Sequence, residues 1–202
     1  MNEVIIKILH ISFVKQRQSF VLSFVDQSRR EKADNFVNEK DRLLSLGGAY
    51  LLKKYLPEGE IKTLENGKPY LENGPFFNLY HSGDYVVLAV HPTREVGVDI
   101  ETINKDKLNG IRYVLNEKEN QVTEMATLFQ MWSNKESLIK CISTGLKDIK
   151  KAPGLPLQGE RVFEKEGYFT KSTVHDGYSL SVTLKGKEPF VIRLENIENS
   201  EE

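Results

Sequence analysis

The sequence predicts an α+β fold, and three observations carry that prediction. Strand-like segments stand at the start, the middle and the end of the chain. Two helical stretches lie between them, each opening at a recognisable cap. Finally, "YHSGDYVVLAV" (residues 80–90) and "TVHDGYSLSVTL" (173–184) both place a histidine and a Gly-containing turn ahead of a strand. Two related halves would produce that likeness, and so would chance similarity between hairpins.

Taken in order, "MNEVIIKILHISF" reads as a strand bearing charges. Ser28 followed by Glu31 forms a capping-box pattern and predicts a helix through about Val37. Asn38 can cap a second helix running to about Tyr55 and stopped by Pro57; Gly47, Gly48 and Ala49 within it predict close approach of another element. "ENGKPYLENGPFF", with two Asn-Gly signals and two prolines, is a loop or hairpin. "YVVLAV" is a buried strand, and "REVGVDIET" is a strand of period two with Val96, Val98 and Ile100 on one face and Gly97, Asp99 and Glu101 on the other. Asn116 and Glu119 form a further capping box, opening a helical region towards Lys140. Residues 161–194 return to strands, and the acidic "ENIENSEE" from 195 is predicted to fray.

With 202 residues, 39% of them hydrophobic, the chain can bury a core as one domain or two small ones. No apolar run approaches the roughly 18 residues that span a bilayer, so neither an anchor nor export is expected. Cys141 is the only cysteine, which excludes an internal disulfide and a multi-cysteine metal site and suits a reducing cytoplasm. A net charge of −1 gives no global attraction for nucleic acid or an anionic membrane. Locally, residues 29–54 carry seven basic against four acidic side chains, and residues 133–151 five against two. These are either two solvated helix surfaces or two basic patches around an anionic ligand.

The chemistry is concentrated in carboxylates. In "LFQMWSNKESLIK" (128–140), Met125, Leu128, Phe129, Trp132 and Ile139 share a helical stripe, and Glu136 falls in its middle. Burying an unpaired carboxylate there costs several kcal/mol or more, so it must be neutralised, paired or bound to a cation. Asp99 and Glu101, on one strand face, repel unless a cation lies between them. Three oxygen donors without a Cys or His partner fit a hard ion such as magnesium, which keeps waters and takes phosphate oxygens. Two plainer readings compete: a wet edge strand for Asp99 and Glu101, and a surface Glu136–Lys140 pair one turn apart. His81 stands in the polar loop "YHSGD", either as a binding residue or closing its own turn.

"GVDIE" (97–101) followed by "WSNKESLIK" (132–140) resembles the paired signature of the 4′-phosphopantetheinyl transferases, and "GKPY" (67–70) and "FNLYHSGDYV" (77–86) resemble two further blocks of that family. The likeness is to the single-chain, surfactin-synthetase type rather than the short trimeric form. It implies two pseudo-symmetric α/β halves, each a small, mostly antiparallel sheet packed with helices, over residues 1–96 and 97–202, in a monomer. It implies Asp99, Glu101 and Glu136 as magnesium ligands and Lys140 beside a diphosphate. His81 and Lys68 fall at the nucleotide end of coenzyme A, and Arg29 and Lys32 match phosphate-binding residues. Where the family commonly has a basic residue, this chain has Leu44; Arg42 is the nearest substitute, two positions away.

The activity so implied is transfer of the phosphopantetheine arm of coenzyme A to a serine of an apo acyl or peptidyl carrier protein, releasing 3′,5′-ADP. Glu136, directly or through a metal-bound water, is the expected base, while Glu119 is expected to be structural. Tyr113, Val114 and Leu115 are either carrier contacts or an ordinary buried segment. A catalytically silent module binding coenzyme A or a carrier, and a metal-dependent phosphate hydrolase, are the alternatives. The pathway served (fatty acid, polyketide or nonribosomal peptide) is not legible.

Overall fold

The computed structural model describes residues 2–144, 149, 152, 161–163, 167–186 and 188–197. Alternating aliphatic residues make Glu3–His10 the first strand, β1, whose Val4 and Ile6 are buried. Four helices follow: α1 (Ile11–Gln16), α2 (Gln18–Phe24), α3 (Gln27–Asp34) and α4 (Glu39–Tyr55). Asn38 caps α4 as its sequence predicts, its side chain accepting from the Lys40 amide. The start of α3 differs from expectation. Asp26, not Ser28, is its N-cap, and Glu31 instead accepts from Gln27 one turn back at 3.0 Å.

The Asn-Gly region holds a small hairpin, β2 (Ile61–Thr63) with β3 (Pro69–Leu71). It leads to β4 (Phe76–Ser82) and β5 (Tyr85–His91), turned at Gly83, whose φ of +59° suits glycine. Then come β6 (Val96–Thr102), a 3₁₀ turn at Lys105–Lys107, α5 (Leu108–Val114), a second 3₁₀ turn at Glu119–Gln121, and α6 (Met125–Ile142). The last strands are β7 (Arg161–Phe163), β8 (Tyr168–His175), β9 (Tyr178–Lys185) and β10 (Val191–Ile197).

Two four-stranded sheets organise these elements, ordered β10-β1-β5-β4 and β6-β9-β8-β7. In each, an entry strand pairs antiparallel with the second strand of a later hairpin (β1 with β5, β6 with β9), with a long helix between them in sequence. The two similar segments are these two hairpins, so the likeness in sequence has a counterpart in topology. β10 returns to run parallel to β1 in the first sheet, so the halves expected over 1–96 and 97–202 are joined by a shared strand. Residues 195–197 therefore belong to a strand rather than a frayed tail; 198–202 lie outside the described residues.

The sheets pack face to face. Val4, Ile6, Val87 and Ala89 of the first meet Val96, Val98, Ile100, Leu180, Val182 and Leu184 of the second. α4 covers the outer face of the first sheet with Leu43, Leu46, Tyr50 and Leu51, and Gly47 lets it approach Leu9 and Val86. α6 covers the outer face of the second in a different way. Its contact is a layer of hydroxyls: Ser133 with Ser179 and Ser181, both at 2.7 Å, and Ser137 with Thr183 at 2.9 Å, while Ser181 donates to Asn134 at 2.8 Å. Each of these hydroxyls has a partner, so the small residues let the helix sit close without the penalty of an unsatisfied hydroxyl.

The Asn116–Glu119 exchange is present, Asn116 N–H donating to Glu119 Oε2 at 2.8 Å and Glu119 N–H to Asn116 Oδ1 at 3.0 Å. It closes only the 3₁₀ turn. The long helix starts later, at Met125, behind Glu124. Among the described residues no helix is long and apolar enough to cross a membrane.

Candidate active site

β6 is an edge strand buried on both faces, because α6 lies over the side that an edge strand would otherwise give to water. This removes the wet-strand reading. Asp99 is fully buried and Glu101 nearly so, both pointing towards α6 and the neighbouring β4. Gly97 makes the approach possible: a Cβ there would fall on the Ser137 carbonyl and the Cys141 backbone nitrogen. The result sets Glu136 and Lys140 of α6 beside Asp99. Lys140 Nζ donates to Asp99 Oδ1 at 2.6 Å, lies 3.6 Å from Glu136 Oε2, and stands over the Tyr80 ring. The Glu136–Lys140 pair exists, and it is buried against Asp99 rather than exposed on a helix surface.

Glu101 Oε2 accepts from Ser82 Oγ at 2.9 Å and from Lys107 Nζ at 2.7 Å. Burial is the main influence on this cluster. It pushes Asp99 up to about 7 against the opposing pull of Lys140, and raises Glu136 in the same way. The Tyr80 phenol is raised by burial and by the surrounding carboxylates. Asp99 Oδ2 is buried and has no hydrogen-bond partner. Among the described residues no three His, Cys, Asp or Glu side chains stand together closely enough to hold an ion, since Lys140 and Lys107 hold the carboxylates instead. The donor set is nonetheless all oxygen, and the orphaned Asp99 Oδ2 is an acceptor in search of a donor or a cation. Both features fit a hard ion.

Alternation along β4 joins this cluster to a second site. Asn78, Tyr80 and Ser82 face β6, with Asn78 Oδ1 accepting from the Val98 amide at 2.8 Å. Leu79 and His81 face the other way, into a cavity of about 230 Å³ against α3 and α4. Arg29, Lys32 and His81 line it together, with Asp41 the acidic member, over an apolar floor that includes Leu44, Gly48 and Leu52. Desolvation lowers His81 from its ordinary value, so near pH 7 it is a neutral hydrogen-bonding ring.

Arg42 does not reach this cavity. It donates to Asp34 Oδ1 at 2.9 Å on the other side of α4, while Leu44, the position aligned with the family's basic residue, is in the wall. Lys68 is also elsewhere: its Nζ donates to the Cys141 carbonyl at 3.1 Å, closing the C-terminal end of α6, and burial lowers its pKa. Of the predicted carrier contacts, Tyr113 is exposed and Leu115 buried.

Among the described residues of the basic stretch 133–151, neither Lys135 nor Lys140 lies on a solvated face. Lys135 is completely buried, its Nζ 3.0 Å from Glu119 Oε2 and 2.7 Å from the Ala152 carbonyl; Lys147, Asp148, Lys150 and Lys151 lie outside the described residues. The sequence reading passed over Lys135, Lys107, Tyr80 and Ser82. Only Lys135 had a signal, a lysine adjoining Glu136 on a helix too apolar to leave it in water. Glu119, expected to be structural, both caps the turn and neutralises Lys135.

A family profile described as the 4′-phosphopantetheinyl transferase superfamily matches residues 95–187, which hold β6, α6 and the carboxylates. The chain is 32% identical over 145 residues to 4′-phosphopantetheinyl transferase gsp of Aneurinibacillus migulanus, covering 63% of this chain and 60% of that protein. It is 30% identical over 154 residues to a phosphopantetheinyl transferase of Thraustochytrium, covering 60% and 54%. It is 28% identical over 142 residues to 4′-phosphopantetheinyl transferase Sfp of Bacillus subtilis, covering 62% and 63%. The chain thus spans less than two thirds of the length of each of these relatives.

Proposed function

From the match of residues 95–187 to the superfamily profile and the likeness to these relatives, we propose that the chain is a 4′-phosphopantetheinyl transferase, which transfers the 4′-phosphopantetheine arm of coenzyme A to a serine hydroxyl of an apo acyl or peptidyl carrier protein, releasing 3′,5′-ADP. The observation that carries this reading is the shared wall of β4, which sets a basic, apolar-floored cavity back to back with a buried cluster of carboxylates and a lysine. The cavity suits the nucleotide end of coenzyme A: Arg29 and Lys32 supply charge for its phosphates, and His81 a hydrogen bond. The diphosphate then falls towards Lys140.

Asp99, Glu101 and Glu136 would hold magnesium, which when bound stabilises charge on the oxygens of the phosphoryl group undergoing transfer. Lys140, already within reach of two of these carboxylates, adds a fixed positive charge on the same side. Glu136 takes the serine proton. Burial raises its pKa against the opposing pull of Lys140, which makes the carboxylate a stronger base. Exposed Tyr113 is a contact for the carrier, and the positive α3–α4 surface steers an acidic partner. We propose a monomer in the cytoplasm, with the two halves acting as one unit.

Intact mass of an apo carrier protein, incubated with the enzyme, coenzyme A and Mg²⁺, tests the proposal against an EDTA control. A metal-dependent gain of roughly 340 Da, the arm's mass from its formula, is expected. Coenzyme A binding without any gain on several carriers would point to a silent binding module. Free phosphopantetheine formed without a carrier would make the protein a hydrolase.

A further inference from the structure

A second cavity, of about 240 Å³, opens between the two sheets, on the reverse face of β6 from Asp99 and Glu101. Its wall is largely aliphatic, built by Ile8 and Leu194 of the first sheet and Ile100 and Leu180 of the second, with His10, Thr173 and Asn196 as polar members. Two tyrosines, Tyr85 and Tyr178, close one side with their rings edge to face at 4.7 Å. Asp176, in the β8–β9 turn, brings a carboxylate to the rim. No part of the proposed transfer reaction uses this cavity.

We propose that this inter-sheet cavity is a binding site for a small arylalkylamine, one aromatic ring with a short arm ending in an ammonium group. Size sets the first limit. The volume exceeds the ~150 Å³ that holds a benzene molecule in an apolar core, and falls short of the ~300–1,000 Å³ of pockets for drug-sized ligands. One ring with a short arm is what fits. Chemistry sets the second: isoleucine and leucine side chains with two aromatic rings take an aromatic ring, while a carboxylate beside tyrosine faces attracts an ammonium group. Ile100 stands between Asp99 and Glu101 on β6, so an occupant presses on the strand that carries both carboxylates.

Tyramine is the probe, with p-cresol as its counterpart lacking the ammonium arm. Both are titrated into the full chain without coenzyme A or a carrier and followed by calorimetry and saturation-transfer NMR. Saturable tyramine binding is expected, with p-cresol at least about fivefold weaker. Asp176→Asn is expected to weaken tyramine by a similar factor, without strain, since asparagine tolerates the +47° φ of that position. Leu194→Trp, at a half-exposed position, is expected to fill the cavity and abolish binding. The assignment is overturned if tyramine does not bind saturably, if p-cresol binds as well, or if Asp176→Asn binds tyramine like the parent. The aspartate variant keeps the test decisive even where Leu194→Trp fails to fold.

Discussion

Gly97 of β6 lies directly beneath the peptide of Ser137 on α6, at the point where strand and helix come closest. The contact is with backbone, which cannot swing aside as a flexible side chain would. Adding a methyl group must therefore push α6 away from β6 and take Glu136 and Lys140 with it. Gly97→Ala is expected to cost about 1–3 kcal/mol or more in chemical denaturation and to remove transferase activity. Full activity at parental stability would show that the helix can shift without moving the site.

Asp99 gives the stability curve a slope of unusual sign. Its folded pKa is lifted to about 7 by burial, above its value in the unfolded chain. Between about pH 4 and 7 the folded state therefore binds more protons than the unfolded one. In EDTA, the contribution of Asp99 to stability falls as pH rises through that window, and the penalty is complete above pH 7. Asp99→Asn is expected to flatten this slope and to raise the melting temperature at pH 8, while abolishing transfer. A slope unchanged by the substitution would show that Lys140 keeps the carboxylate ionised throughout.

The strands, the Asn38 cap, the paired hairpins and the shared face of Asp99 and Glu101 were legible in the sequence because each rests on local chemistry or on spacing. Glu136 stood out correctly as a buried charge, though the stripe around it misled in one respect. Leu128, Phe129 and Met131 pack with Ile111 and Leu115, whereas the side of α6 that meets the sheet is made of Ser133, Asn134 and Ser137. A hydroxyl interface has no hydrophobic period to read. Lys107 was equally hidden, since a 3₁₀ turn has no amphipathic pattern and its partner lies on a strand already passed. Arg42 is not among the residues lining the cavity for a geometric reason: two positions along a helix is roughly 200° around it.

Lys135 is completely buried and Glu119 nearly so, and the two charges depend on each other. Lys135→Met leaves Glu119 uncompensated and is expected to cost about 3–5 kcal/mol. Combining it with Glu119→Gln, which can keep the capping exchange with Asn116, is expected to recover a substantial part. A double-mutant cycle by urea denaturation measures the coupling. Strict additivity would mean that the Ala152 carbonyl, not Glu119, is what holds the lysine.

The two groups of basic residues on α3 and α4 should separate in coenzyme A binding. Arg29 and Lys32 line the cavity with His81, while the Arg42 guanidinium is engaged by Asp34, a surface pair whose aspartate is more than half exposed and which contributes about 1 kcal/mol or less. Removing both cavity cations with Arg29→Ala/Lys32→Ala is expected to weaken coenzyme A at least tenfold, less so at high salt, where screening already reduces the attraction. His81→Ala is expected to raise KM more than it lowers kcat, because in the proposed reading the ring would meet the nucleotide end rather than the reacting phosphorus. Arg42→Ala is expected to stay within twofold of the parent. Calorimetry at two ionic strengths distinguishes these outcomes. A large loss with Arg42→Ala would mean that its pairing with Asp34 opens on binding and that Arg42 takes the place Leu44 leaves without a charge.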